Sequence, residues 1–561
     1  MKLNNNKHPI KIIIWSFLML LLAVWGGVDN FSPVPFAGAW EGSLNFFLNA
    51  SDAKSWLMND LDHILLTTRV LTWIDIRFFG GVAIFLIVLC YFFLALSAVI
   101  FAYILRQKNK NKFDREDYAL LAFLFAWLFL YMQSENYIWG HNIHTILINF
   151  LPLSTFVLLA GLKITEHSIF FFKNLLILFL SALSALTNIS GLLLPPIISI
   201  YYLLVKKNIR LAILYAFFAC LMFYFYLNFG TIAESSPGRI GLVLNEPLDF
   251  SHFFLTYLGN PFWHLIHLNK IGKTIAPLSS ILFLILFLTA SFNEFKRPNK
   301  NQVDIAILFF IFFYICSVAS ITFGRFENGI DQALVGRYTT HAIFGWSALF
   351  LIYSPYLKNK IKKPSKGFIW LSYTLIFLMT LNQSKAMRLH NEISNKNLAG
   401  LAIVMGVNDQ KLIENSVWHS SVEDIEIARN SKERGIGFVN VFPFSQVGKE
   451  VLFESNYQEC DSVLQSNNVV ENDSQYNFFT GIFNSTEKKE IPKFLFVYDK
   501  SEKLIGYALA GNLFKKDITT SKYGFKGYYL SQDDPDMIKI MSLNPKCQKI
   551  ISLKKVRIKQ S

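Results

Sequence analysis

Apolar residues in this chain come in blocks of roughly 17–25, the length a helix needs to cross a hydrocarbon core of ~30 Å. That blocking constrains the fold more than any motif does. A soluble domain takes its apolar residues in stripes, with polar positions on the opposite face. Here whole stretches, Ile84 to Leu105 among them, hold no charged residue at all. With 53% of residues hydrophobic, the chain reads as a polytopic α-helical membrane protein. Spans are expected near 12–27, 80–105, 117–133, 143–162, 169–187, 190–205, 210–228, 277–292, 304–323, 341–357 and 367–382, about eleven by the ~20-residue criterion.

Positive charges set the orientation. Lys2, Lys7 and Lys11 precede the first span, and Arg106, Lys108, Lys110, Lys112 and Arg115 lie between the second and third. Lys206, Lys207 and Arg210, then Lys296, Arg297 and Lys300, then Lys358, Lys360, Lys362, Lys363 and Lys366 fill later alternate loops. Simple alternation puts all of them on one side, which the positive-inside rule makes cytoplasmic. The net charge of +14 then reflects topology and anionic lipid, and no nucleic-acid partner is expected. Residues near 28–79, 134–142, 229–276 and 324–340, and everything after about 383, fall outside. The N-terminal run lacks a small-residue cleavage site after Trp25-Gly26-Gly27, so it is read as a span and not as a signal peptide.

The expected division is a membrane domain over 1–382, with 28–79 as a first outward loop of amphipathic helices, and an outward soluble domain over 383–561. Residues 389–435 read as helical. Beyond them Phe494–Tyr498 and Leu504–Ala510, separated by a polar turn, carry a hairpin signal. Further strands near 524–529 and 538–543 suggest a small β-sandwich, either a cap on the membrane domain or a holder for an acceptor. Cys90, Cys220 and Cys316 sit in spans as packing residues, whereas Cys460 and Cys547 lie in the outward tail, where an oxidising compartment would allow a disulfide.

The first outward loop places Asp60 and Asp62 beside His63, among Trp40, Trp56 and Trp73. Two carboxylates at this spacing can divide labour, one taking a proton and one orienting a hydroxyl or a metal ion; an exposed helix cap is the plainer reading. Arg69, Asp75 and Arg77 follow. Arg69 and Asp75 either pair or leave the arginine for phosphate recognition. In the second outward turn Glu135 and Asn136 stand near His141 and His144, whose spacing suits a shared ligand but more often serves buried backbone. Arg337 and Tyr338 open the tenth span, and an interfacial arginine on the outward side is a functional candidate by default. Arg239 is a second such candidate, and Asn188 breaks the helical pattern between the fifth and sixth spans.

Several of these groups together (Asp62-His63, Arg69, Asp75, Phe79-Gly80-Gly81, Gln133-x-Glu135-Asn136-x-x-Trp139-Gly140, Thr187-Asn188-x-x-Gly191 and Gly336-Arg337-Tyr338-Thr339-Thr340) resemble bacterial multi-span proteins that modify surface polysaccharides. The plan is similar to the GT-C glycosyltransferase superfamily, including the serotype-specific O-antigen glucosyltransferases of the Gtr type. The tail around Ile505–Ala508 and Gly524–Gly527 resembles a β domain that accompanies some members. The resemblance implies a polyprenyl-phosphate-sugar donor, a lipopolysaccharide or other surface-glycan acceptor, and inverting transfer on the periplasmic face of a bacterial inner membrane. It also implies a carboxylate base in the first outward loop, Asp62 or Asp60. Arg337, with Arg69 or Arg239 and Tyr338, would hold the donor phosphate, with His63, Asp75, Glu135, Asn136, His141 and Asn188 around the substrate. The resemblance fixes no cofactor and leaves metal use open, a divalent metal at the acid pair included. The rival readings are an O-antigen polymerase or ligase centred on 229–276, a transporter without bond chemistry, and a membrane protein whose tail binds a partner.

Overall fold

A computed structural model of the chain describes residues 8–57, 64–109, 112–161, 167–229, 236–266, 269–298, 301–387, 390–449, 457–484, 491–510, 523–531, 537–544 and 546–553. The chain divides into two units. Met1–Asp29, Ser51–Thr72 and Ile84–Ala386 form the first; Asn30–Ala50, Trp73–Ala83 and Met387–Ser561 form the second.

The first unit is helical. Among the described residues seven helices are long and apolar enough to cross a membrane: Ile10–Asp29, Ile84–Lys108, Gly140–Ala160, Ile189–Lys206, Ile209–Phe229, Ile271–Lys296 and Gln302–Asn328. Ile84–Lys108 shows how they pack. Its buried positions Leu86, Cys90, Leu94, Ser97, Phe101, Ile104 and Leu105 recur every three or four residues and line one face. Val88, Phe92 and Val99 are exposed on the rest of the surface, which suits a lipid environment. The chain is therefore a membrane protein.

The other apolar blocks form shorter or more polar helices. Arg115–Leu128 has 14 residues and Gly336–Ile352 has 17, and 14 residues reach only about 21 Å at 1.5 Å per residue. Phe170–Ala185 is also short. Lys366–Ser384 has 19 residues but ends in the buried amides Asn382 and Gln383. Gln383 links three chain segments: its Nε2 donates to the carbonyls of Met19 (2.6 Å) and Phe129 (3.1 Å), and its Oε1 accepts from the Tyr131 N–H.

Lysine-rich helix ends gather at one end of this unit. Asp114 starts Arg115–Leu128 with a capping box to Asp117, and Lys358 Nζ reaches both carboxylates, at 2.7 and 3.1 Å. Lys108, at the C-terminal end of its helix, pairs with Asp304 at 2.7 Å, near the start of Gln302–Arg325. A cavity lined by Tyr103, Gln107, Phe156, Val303 and Phe310 lies beside this pair and contains none of the residues singled out in the sequence.

The second unit joins three helices, His390–Met405, Gln410–Val417 and Ser421–Glu433, to one sheet. Its strands are β1 (Gln458–Glu459), β2 (Ser462–Val470), β3 (Asp473–Phe483), β4 (Phe494–Tyr498), β5 (Leu504–Ala510), β6 (Tyr523–Leu530), β7 (Met537–Leu543) and β8 (Lys546–Ser552), in the order β1-β8-β7-β4-β5-β6-β3-β2. β4 and β5 form the hairpin, with Phe494 opposite Leu509. The strands do not split into the two sheets of a sandwich. β1, only two residues long, pairs in parallel with β8, and Cys460-Asp461 alone connects it to β2 at the far end of the order. So short a link makes the sheet curl until its ends meet. A Cys460–Cys547 disulfide lies at that junction.

Side chains alternate between two cores, as the two-residue strand period requires. Leu495, Val497, Ala508, Tyr529 and Ile540 face one core with Phe479 and Phe525. Phe494, Phe496, Tyr507, Tyr528 and Met541 face the other, against Leu398, Leu401, Ile413, Val417 and Ile427 of the helices. Trp40, Leu44, Leu48 and Ile76 complete that second core. The segments Asn30–Ala50 and Trp73–Ala83 thus belong to the second unit, because their apolar residues find their packing partners there. Gly80 and Gly81, both at positive φ, form the turn after Leu66–Phe79; glycine occupies that region without the Cβ clash other residues meet.

Candidate functional site

Asp60, Asp62 and His63 lie outside the described residues. Arg69 is buried, and its Nη1 donates to the Trp56 carbonyl at 2.9 Å, holding the short helix Ala53–Leu57 to the start of Leu66–Phe79. Asp75 is also buried; its Oδ2 accepts from the Ala83 N–H at 3.0 Å and so fixes the turn at Gly80-Gly81. Asn188 accepts from the Ser190 N–H at 3.0 Å and caps a short 3-10 helix, Ile189–Leu193. Arg239 lies on the helix Ser236–Asn245.

The structure does bring Glu135, Asn136, Arg337 and Tyr338 together. Glu135 Oε2 lies 3.2 Å from Arg337 Nη1, and its Oε1 accepts from the Gly336 N–H at 3.0 Å. A side chain at Gly336 would meet the Met132 carbonyl at 3.1 Å and Glu135 Oε1 at 3.3 Å, so the absence of one lets the two segments approach. Behind them runs a buried amide and hydroxyl chain. Asn136 Nδ2 donates to Thr340 Oγ1, which donates to Gln133 Oε1, each at 2.5 Å. Thr339 Oγ1 donates to Asn260 Oδ1 at 2.5 Å, and Asn260 Nδ2 donates to the Ala333 carbonyl at 2.9 Å. Tyr338 stacks on the buried Tyr257 with ring centroids 4.8 Å apart, and the Arg337 guanidinium lies 5.4 Å from the Tyr338 ring centre.

The network holds Arg337 in place while leaving its side chain 23% exposed. Buried polar chains of this kind are costly to break, because each orphaned group loses water without gaining a partner. Thr340→Val, which removes both the donor to Gln133 and the acceptor for Asn136, is expected to cost about 1–3 kcal/mol. Thermal unfolding of the detergent-solubilised protein measures it; an unchanged midpoint would mean that the chain contributes nothing to stability.

His141 and His144 stand one turn apart, ring centroids 5.8 Å from each other, and His144 Nδ1 lies 3.0 Å from the His141 carbonyl. Neither belongs to the group of ligand-type side chains that the structure does assemble. That group is in the second unit: Glu41, His419 and Glu423, with ligand atoms all within 4.8 Å of one another. His419 Nδ1 lies 2.6 Å from Oδ1 of the buried Asp424. The Asp424 hydrogen bond raises the His419 pKa against the opposing effect of burial. Burial pushes Asp424 up to about 6. Sequence reading missed this group because Glu41 is far from the other two in the chain, and His419-Ser-Ser-Val-Glu-Asp424 alone reads as a helix start.

No family model matches the chain, and no curated protein or solved structure matches it either.

Proposed function

We propose that this chain is a membrane glycosyltransferase that moves a sugar from a polyprenyl-phosphate donor to a lipopolysaccharide O-antigen or another surface glycan. The observation that carries the reading is the fixed, partly exposed Arg337. It follows the C-terminal end of Gln302–Arg325, a helix of 24 residues and so about 36 Å long, with the Lys108–Asp304 pair near the other end. An arginine beyond the lysine-poor end of a span bundle suits a lipid-linked phosphate approaching from the outward side. Its fork of N–H groups matches two phosphate oxygens, and the Glu135 contact employs only Nη1.

In this reading the apolar blocks cross the inner membrane about eleven times, the N-terminus is cytoplasmic, and the second unit is periplasmic. Asp62, or Asp60, takes the proton of an acceptor hydroxyl as that oxygen bonds to the anomeric carbon. The bond from that carbon to the phosphate oxygen breaks, and polyprenyl phosphate leaves with the electron pair. Arg337 stabilises the charge growing on the departing phosphate.

One observation favours a second reading, an O-antigen polymerase or ligase. Tyr257 and Asn260, from the long segment 229–276, contact Tyr338 and Thr339 in the Arg337 network. Surface-glycan composition and linkage, measured by mass spectrometry in a deletion strain with and without the wild-type gene, separates the two. Loss of one side-branch sugar, restored by the wild type, is the expected result. Loss of chain length with every sugar retained would favour the polymerase, and an unchanged glycan would contradict both.

A further inference from the structure

We propose that Glu41, His419 and Glu423 form a binding site for a divalent transition metal of the zinc class, within the second unit and independent of the transfer reaction. His419 Nε2 lies 3.9 Å from Glu41 Oε1 and 3.9 Å from Glu423 Oε2. Ligands about 2.1 Å from a tetrahedral zinc stand roughly 3.4 Å apart, so a modest inward movement completes the geometry. Glu423 is 63% exposed and Glu41 38%, and both have rotatable stems able to make that movement.

The supporting groups point the same way. Asp424 has no exposed side-chain surface, holds His419 Nδ1 through Oδ1, and buries an Oδ2 that has no hydrogen-bond partner. A buried carboxylate behind the distal imidazole nitrogen is the usual companion of a metal-ligating histidine, because it fixes the ring and raises its basicity. The imidazole is also stacked on the buried Trp40, centroids 6.4 Å apart and planes 20° from parallel. Asn45 Nδ2 donates to Glu41 Oε2 at 2.6 Å, which leaves Oε1 toward His419.

Charge argues for a cation. Three carboxylates surround one imidazole, and among the described residues no lysine or arginine pairs with Glu41, Glu423 or Asp424. One nitrogen and two carboxylate ligands favour zinc or its neighbours over calcium and magnesium, which prefer all-oxygen sites. Three protein ligands leave a fourth position for water or an exogenous oxygen. Glu41 comes from the segment Trp40–Asn45, Glu423 from the first turn of Ser421–Glu433, and His419 from just before that helix, so the ion would pin the Trp40–Asn45 segment to the helix start inside the second unit.

The test uses the full-length protein, purified without a histidine tag and stripped with chelator, then titrated calorimetrically with zinc chloride, with calcium chloride as a control. About one zinc per chain is expected. Glu423→Gln, at an exposed position that should not disturb folding, is expected to weaken binding more than 10-fold. Asp424→Asn is expected to weaken it about 10–100-fold, with circular dichroism confirming that both variants are folded. Zinc binding that is absent from the folded wild type, unchanged in Glu423→Gln, or weaker than calcium binding would overturn the proposal.

Discussion

Arg337→Ala is expected to lower sugar transfer by roughly 10²–10³-fold, the usual loss when one preorganised donor to a developing negative charge is removed. The fold should survive the change. The Glu135–Arg337 pair is partly exposed, at 30% and 23% of the two side chains, and pairs with that much solvent contact contribute about 1 kcal/mol or less. Glu135 also keeps its hydrogen bond from the Gly336 N–H. Arg337→Lys retains the charge but loses the fork, so it should recover only part of the rate. An arginine that acts on the leaving phosphate lowers kcat and kcat/KM together, whereas one that only binds the donor raises KM alone. Glu135→Gln separates positioning from direct action: it keeps the hydrogen-bond acceptor and removes the charge, and should cost less than Arg337→Ala. Equal transfer rates in wild type and Arg337→Ala would remove Arg337 from the reaction.

The second large effect concerns the curled sheet. Cys460 and Cys547 close a loop across a sequence separation of 87 residues, which corresponds to roughly 4–5 kcal/mol in the chain-entropy account of cross-links. The bond joins β8 to the junction between β1 and β2, where the ends of the sheet meet. Replacing both cysteines by serine should therefore loosen that closure as well as enlarge the unfolded ensemble. Denaturant unfolding of the full-length protein, followed through the aromatic side chains of the second unit, measures the effect, and reduction of the wild type should reproduce it. An unchanged midpoint in both experiments would show that the β1–β8 pairing closes the sheet without help from the disulfide. Stable disulfides belong to oxidising compartments, so a large effect would also support an outward second unit.

The sequence made the membrane helices legible because blocks such as Ile84–Leu105 carry an unbroken apolar run. It was a poorer guide where apolar helix and apolar loop run together: the block near 117–133 holds the short helix Arg115–Leu128 and then a 3-10 turn at Tyr131–Gln133. The β4–β5 hairpin was visible through its polar turn, but the curl of the sheet was not, because it depends on a two-residue strand paired in parallel with β8. Apolar periodicity says that Trp40, Leu44 and Ile76 will be buried, without saying against what; they pack with Leu398 and Phe438 in the second unit. The same limit applies to the sites. Glu135 and Arg337 were each conspicuous at a span end, yet their pairing, 202 residues apart in the chain, exists only in the folded unit. His419 and Glu41 carried no local signal at all.

The most direct measurement is sugar transfer by the purified protein in lipid nanodiscs, supplied with a polyprenyl-phosphate sugar and an acceptor glycan, with wild type and Asp62→Asn compared side by side. The account predicts acceptor-dependent consumption of the donor, stoichiometric release of polyprenyl phosphate, and loss of both in Asp62→Asn at normal yield and fold. Donor that stays intact with the folded wild type, across the sugars found in the organism's surface glycans, would contradict it.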